Sequence, residues 1–316
     1  YTHPDLSANI IGGISVIPGE KDYMDENGHG THVAGTIAAS GSILGAAPRA
    51  KILAVKVLNR YGMGNFSSIS KGIDWAEKWR GAKGERVNII NMSAPLSNVD
   101  LHQKVIKAVN SGITIVCAAG NSGDADPDTT EISYPAYYPE TLAVGAIDLY
   151  TGIASFSNSN DRIDIVAPGV DTYSTYPGKR YVKLSGTSMA TPHISGAIAL
   201  IYSRYNLRFG KFPTPAMIKN LLHYQSLDLG NMGFDTLYGY GLFTFNISGG
   251  QSIKLVVGEN RFFINNREYV LDTPPFLQKG EPCAAIVELS DLLGNDAVFV
   301  PGNNEENGTP YIEIWS

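Results

Sequence analysis

The chain has 316 residues, of which 43% are hydrophobic and 17% charged, with a formal net charge of −6 and a pI near 5.5. This is the composition of a globular chain with a sizeable core, and it excludes disorder as well as the basic footprint of a nucleic-acid or anionic-membrane binder. No apolar run reaches the length of a membrane span, and two cysteines, Cys117 and Cys283, are too few for a disulfide framework, which favours a reducing, cytoplasmic compartment over the alternative of secretion.

In chain order, a small-residue helix is expected from His29 through Ala39. Apolar runs at 52–58, 87–92 and 113–119 read as buried strands, with a helical pattern at 67–79 between the first two. A long helix follows Ser188 to about Tyr205, and Thr214-Pro215-Ala216 opens another with proline in its first turn. The alternation predicts an α/β domain with a mainly parallel sheet and functional residues at element ends, closing near residues 243–246. Beyond Ser248-Gly249-Gly250 the texture changes. Short strands at 254–257, 261–264, 268–271 and 311–315, a hairpin turn at Asn265-Asn266 and a short helix at 287–294 predict a separate β-rich domain, giving domains of 1–247 and 251–316.

Three loop-to-element junctions carry the chemistry. In Gly186-Thr187-Ser188-Met189-Ala190-Thr191-Pro192-His193 a serine stands at the start of a buried helix. It is either an ordinary N-cap or a nucleophile beside backbone N–H groups able to hold an oxyanion. In His29-Gly30-Thr31-His32-Val33-Ala34-Gly35 two histidines compete as the general base that serine needs; a zinc pair would require a glutamate that this spacing lacks. In Ala118-Ala119-Gly120-Asn121-Ser122-Gly123 a strand runs into an asparagine that either makes a turn or donates its amide to an oxyanion.

The order and spelling of these segments resemble the subtilisin-like serine proteases, most closely the intracellular subtilisins, from His3-Pro4-Asp5-Leu6 to Tyr238-Gly239-Tyr240-Gly241-Leu242. The resemblance implies a three-layer α/β fold and a serine endopeptidase acting on polypeptides. It makes Ser188 the acyl-forming nucleophile, His29 the base, Asn121 an oxyanion donor and His32 a structural residue. In that family an aspartate orients the base from a strand just upstream of the His-Pro-Asp-Leu segment, before Tyr1, and its strand belongs to the sheet. The chain is therefore expected to be a fragment with an incomplete triad, and a non-catalytic peptide-binding regulator is the rival reading.

By the same likeness Ser93, Ala94 and Pro95 form the edge that pairs with substrate, although Pro95 lacks an N–H to offer. Ala118, Ala119, Gly120 and Ser133 wall the pocket for the residue before the scissile bond, with Ser133 at a floor position that is often glycine. A medium-sized apolar or polar side chain is expected there. No cofactor is needed for the chemistry. The loop after Ala39 is too short to supply the oxygens of the family's strong calcium site near Asp5, whereas a weak calcium or monovalent-cation site is expected at Asp164 with carbonyls near Ala136 and Tyr138. The acidic loop of Asp124, Asp126, Asp128 and Glu131 reads as solvated. The tail, with Asp272-Thr273-Pro274-Pro275-Phe276-Leu277, resembles the stalk domain at the N-terminus of some copper amine oxidases and implies no copper. Oligomeric state is left open.

Overall fold

The computed structural model describes residues 1–93 and 101–245, and beyond them the backbone of the strands that follow residue 251. In chain order the elements are α1 (Pro4–Ser7), β1 (Ile10–Ser15), α2 (His29–Ala38), β2 (Ile52–Lys56), α3 (Phe66–Lys78), β3 (Ile89–Met92), α4 (His102–Asn110), β4 (Thr114–Ala118), β5 (Leu142–Ile147) and β6 (Ile165–Pro168). A hairpin of β7 (Thr172–Tyr176) and β8 (Arg180–Leu184) leads into α5 (Thr187–Phe209), α6 (Pro215–Tyr224), β9 (Ser226–Leu227) and β10 (Leu242–Phe243). The tail adds β11 (Ser252–Val256), β12 (Arg261–Ile264), β13 (Arg267–Val270), β14 (Leu277–Gln278), β15 (Glu281–Pro282), β16 (Asp296–Val300) and β17 (Tyr311–Trp315).

The chain divides into two compact units: Tyr1–Leu200 with Asp228–Phe243, and Ile201–Leu227 with Thr244–Ser316. In the first, β3, β4, β5, β6 and β10 lie side by side and parallel, in the α/β arrangement expected from the sequence. Every residue of β4 and β5 is buried, as befits strands covered on both faces. On one side of the sheet α3 and α4 bring Ile69, Ile73, Leu101, Val105 and Ala108 against Ile115 and Cys117, forming one contiguous core. Capping follows the sequence signals. Asn65 Oδ1 accepts Ser68 N–H at 2.9 Å ahead of α3, and in the second unit Thr214 Oγ1 accepts Met217 N–H at 3.2 Å ahead of α6, whose first residue is Pro215.

β1 and β2 form a separate parallel pair. The strands β2 and β3 are equally apolar in sequence, yet they are half-buried throughout, and among the described strands neither has a neighbour on its outer edge. In the second unit β13, β12, β11, β17 and β16 form an antiparallel sheet, with Ile264 opposite Arg267 across the expected hairpin. The helix expected at 287–294 and most of the Asp272 to Leu277 segment lie outside the described residues.

Candidate active site

His29 is the first residue of α2, and the turn before it is held by one carboxylate. Asp25 Oδ1 accepts the N–H groups of Asn27 (3.0 Å) and Gly28 (2.8 Å), while Oδ2 accepts Thr31 N–H and Thr31 Oγ1–H, both at 2.7 Å. These bonds satisfy the orphan donors of the helix start. Gly28 has φ +106°, and a Cβ built there would lie 2.3 Å from the Tyr176 ring. That ring can approach only because position 28 is glycine, and its hydroxyl donates to Asn27 O at 2.9 Å. Two more side chains of β7 grip the helix: Thr175 Oγ1 donates to Thr31 O and Ser174 Oγ to His32 O, each at 2.8 Å. His32 is fully buried, and its Nε2–H donates to Thr172 O at 2.9 Å, which makes it a structural residue. The His29 imidazole is half-buried instead. Burial holds its pKa below the ordinary histidine value, and the Asp25 charge opposes that shift.

Ser188 is the second residue of α5, and only 7% of it is exposed. Pro192, inside this helix, has no N–H to give to the carbonyl four residues back, so Ser188 O is released from the helical ladder. Ser93 Oγ donates to that carbonyl at 3.1 Å and Ser188 Oγ returns a bond to Ser93 O at 2.8 Å. The pair is braced by Asn91, whose Nδ2 donates to Ser93 Oγ (2.9 Å) and whose Oδ1 accepts from Ser195 Oγ (2.8 Å). The end of β3 is thus locked to the start of α5. Among the described residues no hydrogen bond joins the His29 ring to the Ser188 hydroxyl.

Asn121 stands in the turn after β4. Its Oδ1 accepts both Thr187 N–H (2.9 Å) and Thr187 Oγ1–H (2.8 Å), which commits the oxygen and leaves Nδ2 as the outward end of the amide. Thr187 Oγ1 in turn accepts Gly120 N–H at 3.2 Å. A Cβ at Gly186 would sit 3.4 Å from Asn121 Nδ2, so the absence of a side chain there keeps the amide uncovered. Asn158, 2% exposed, supports the turn from beneath: its Oδ1 accepts Ser122 N–H (2.7 Å) and its own N–H donates to Gly120 O (3.1 Å). In the first turn of α5 the Ser188 N–H has no intrahelical acceptor. A hydroxyl, an outward amide and an N–H with no intrahelical partner at a helix start are the parts of an acyl-transfer site.

Residues 1–241 match the model of the subtilase family. The chain belongs to the subtilase family. It is 45% identical over 238 residues to an intracellular serine protease of Paenibacillus polymyxa, covering 72% of this chain and 71% of that one. It is 46% identical over 244 residues to subtilisin BL of Lederbergia lenta (76% and 84% covered). Against the major intracellular serine protease of Bacillus subtilis it is 49% identical over 212 residues (64% and 65% covered). This subtilase is a serine endopeptidase, and the family needs no cofactor for its chemistry.

Of the expected substrate-binding residues, Ser93 is buried beside Ser188; Ala118, Ala119 and Gly120 are buried at the end of β4; and Ser133 is half-buried. Ala94 and Pro95 lie outside the described residues. Asp5 is spent elsewhere, since its Oδ2 accepts Ile43 N–H (3.1 Å) and Tyr181 Oη–H (2.9 Å), and Asp25 is committed to the cap of α2. Neither aspartate hydrogen-bonds the His29 ring. Asp164, 5% exposed, accepts Ala143 N–H at 2.8 Å. Thr187, Asn158, Pro192 and Asp25 also support the site, in roles that were not assigned from the sequence. The signal for Pro192 was present in its spacing of four from Ser188; the partners of Thr187 and Asn158 are distant in the chain and left none.

Proposed function

We propose that this subtilase cleaves peptide bonds through an acyl-enzyme on Ser188, with His29 as general base. The Ser188 hydroxyl turns from Ser93 O toward the imidazole, gives up its proton and attacks the scissile carbonyl. The oxyanion that forms is held by Asn121 Nδ2 and the Ser188 N–H. His29 then protonates the leaving amine, and water, activated by the same imidazole, frees the acid product. The observation that carries this reading is the clamp of Thr187 on Asn121 Oδ1, which aims the amide before any substrate arrives.

The reading requires a carboxylate on the far side of His29. Asp5 and Asp25 are engaged elsewhere, so we assign this role to an aspartate on a further strand, for which the outer edges of β2 and β3 offer backbone partners. Without that carboxylate, turnover falls by about four orders of magnitude in serine proteases of this kind. The small residues Ala118, Ala119 and Gly120 with Ser133 support a preference for a medium-sized apolar or polar residue before the cleaved bond. A peptide library tests this: enrichment of such residues is expected, and dominance of large aromatic or basic ones contradicts it. The names of two relatives as intracellular proteases support a cytoplasmic location, and no helix among the described residues is long and apolar enough to cross a membrane. The division at residues 247–251 and the stalk-like character of the tail belong to the same reading.

A further inference from the structure

Calcium binding is common among subtilases, and two places in the first unit could serve a cation by that likeness. At both, a protein hydroxyl occupies the oxygen cluster instead. At Asp5 the groups that converge on the carboxylate are donors, namely Ile43 N–H and Tyr181 Oη–H, where a cation would need further acceptors. The nearby carbonyls are turned to amides: Asp5 O takes Ser40 N–H (2.8 Å), Ala39 O takes Gly45 N–H (2.9 Å) and Ile43 O takes Gly41 N–H (3.2 Å). Tyr181 is held in turn. Its ring lies edge-on to His3 (5.2 Å between centroids) and stacks on Tyr173 (5.9 Å), and His3 bonds both Asp5 N–H and Arg180 O. At the second place, the carbonyls of Pro135 (2.9 Å), Ala136 (3.2 Å) and Tyr138 (2.9 Å) all point at Thr141 Oγ1. A cation bound by those three oxygens would have to stand where that hydroxyl stands.

We propose that the hydroxyls of Tyr181 and Thr141 take the place of bound cations in this subtilase, so that its loop at residues 40–45 and its turn at residues 135–141 are fixed without metal. Through Asp5 Oδ2 the Tyr181 bond links three segments: the α1 turn that carries Asp5, the loop through Ile43, and the hairpin through β8. The weak site expected at Asp164 is closed in the same way, because the Ala136 and Tyr138 carbonyls that would complete it converge on the Thr141 hydroxyl, whose one proton they share, and the carboxylate accepts Ala143 N–H.

The test is thermal unfolding of the full chain in a chelator, in about 1 mM calcium and in about 100 mM potassium. The expected result is one Tm in all three. A site with a Kd near 10 μM would instead raise Tm by roughly 5–10 °C at that calcium concentration. Y181F and T141V each remove one hydroxyl and are expected to lower Tm by roughly 2–6 °C in the presence of chelator. A saturable rise of the wild-type Tm with either cation overturns the proposal, and its loss in D5N or D164N would identify the site. An unchanged Tm in both hydroxyl variants overturns it as well. Calorimetric titration of calcium into the wild-type protein needs no variant, and a saturable isotherm there has the same consequence.

Discussion

At the scale of single residues, the site separates groups that react from groups that aim them. Removing the Asn121 amide in N121A should lower kcat with little change in KM, by the roughly 10²–10³ known for loss of the oxyanion asparagine in a subtilisin. T187V keeps the backbone N–H bond to Asn121 Oδ1 but removes the hydroxyl's second bond, so the amide is held less tightly and steady-state kinetics should show a smaller loss, again in kcat. The acid limb of the pH profile reports His29. The base acts only when neutral, and in this chain burial depresses its pKa, so kcat/KM measured on it should climb through a midpoint below the ordinary value of 6.5 and stay level through neutral pH, whereas adding the aspartate-bearing strand should move that midpoint up. A midpoint above 6.5 would show that a carboxylate outweighs burial at this ring. Much of this scale was legible in advance. His29, Ser188 and Asn121 each stand at a junction flanked by small residues, and short-range spelling marks such places. Thr187 was hidden because its role rests on a partner 66 residues away. Tyr181 was hidden more deeply, since nothing near it in the chain announces Asp5, 176 residues distant.

At the scale of elements, α2 is placed by β7, and the contact depends on Gly28. G28A would meet the Tyr176 ring at 2.3 Å in a backbone conformation already unfavourable for alanine, and should cost about 2–4 kcal/mol in denaturant unfolding. Gly19 provides the control, because it shares positive φ (+84°) but has nothing within 4 Å of a built Cβ, so G19A should cost only about 1 kcal/mol. The strands and helices themselves were readable from periodicity. The runs at 52–58, 87–92 and 113–119 contain β2, β3 and β4, and the pattern at 67–79 became α3, displaced by one residue. Apolar content alone could not tell the fully covered β4 from the half-covered β3. The difference arises from which strands lie beside them, and that is a property of the assembled sheet.

At the scale of the whole molecule, buried ionisable groups shape stability against acid. His32 is fully buried, and burial lowers its pKa despite the carbonyls it faces. Its unfolded form therefore binds a proton first, and its contribution to stability is lost as pH falls from about 6.5 toward the depressed folded value. Asp5 acts in a lower window. Burial alone would raise its pKa, but the bonds from Ile43, Tyr181 and Ser42 outweigh burial, so its contribution is kept above the ordinary carboxylate range and lost as pH falls through the folded value. Denaturant midpoints measured from pH 7 to pH 3 should fall in these two stages. The measurement closest to the central claim is labelling with a fluorophosphonate probe followed by peptide mass mapping, on this chain, on its H29A form and on the chain extended upstream by an aspartate-bearing strand. One adduct is expected, on Ser188, slowed in H29A by at least about 10³ and accelerated by the added strand. A folded extended chain that takes no label, or that takes it at another residue, would contradict the assignment of Ser188 as the nucleophile.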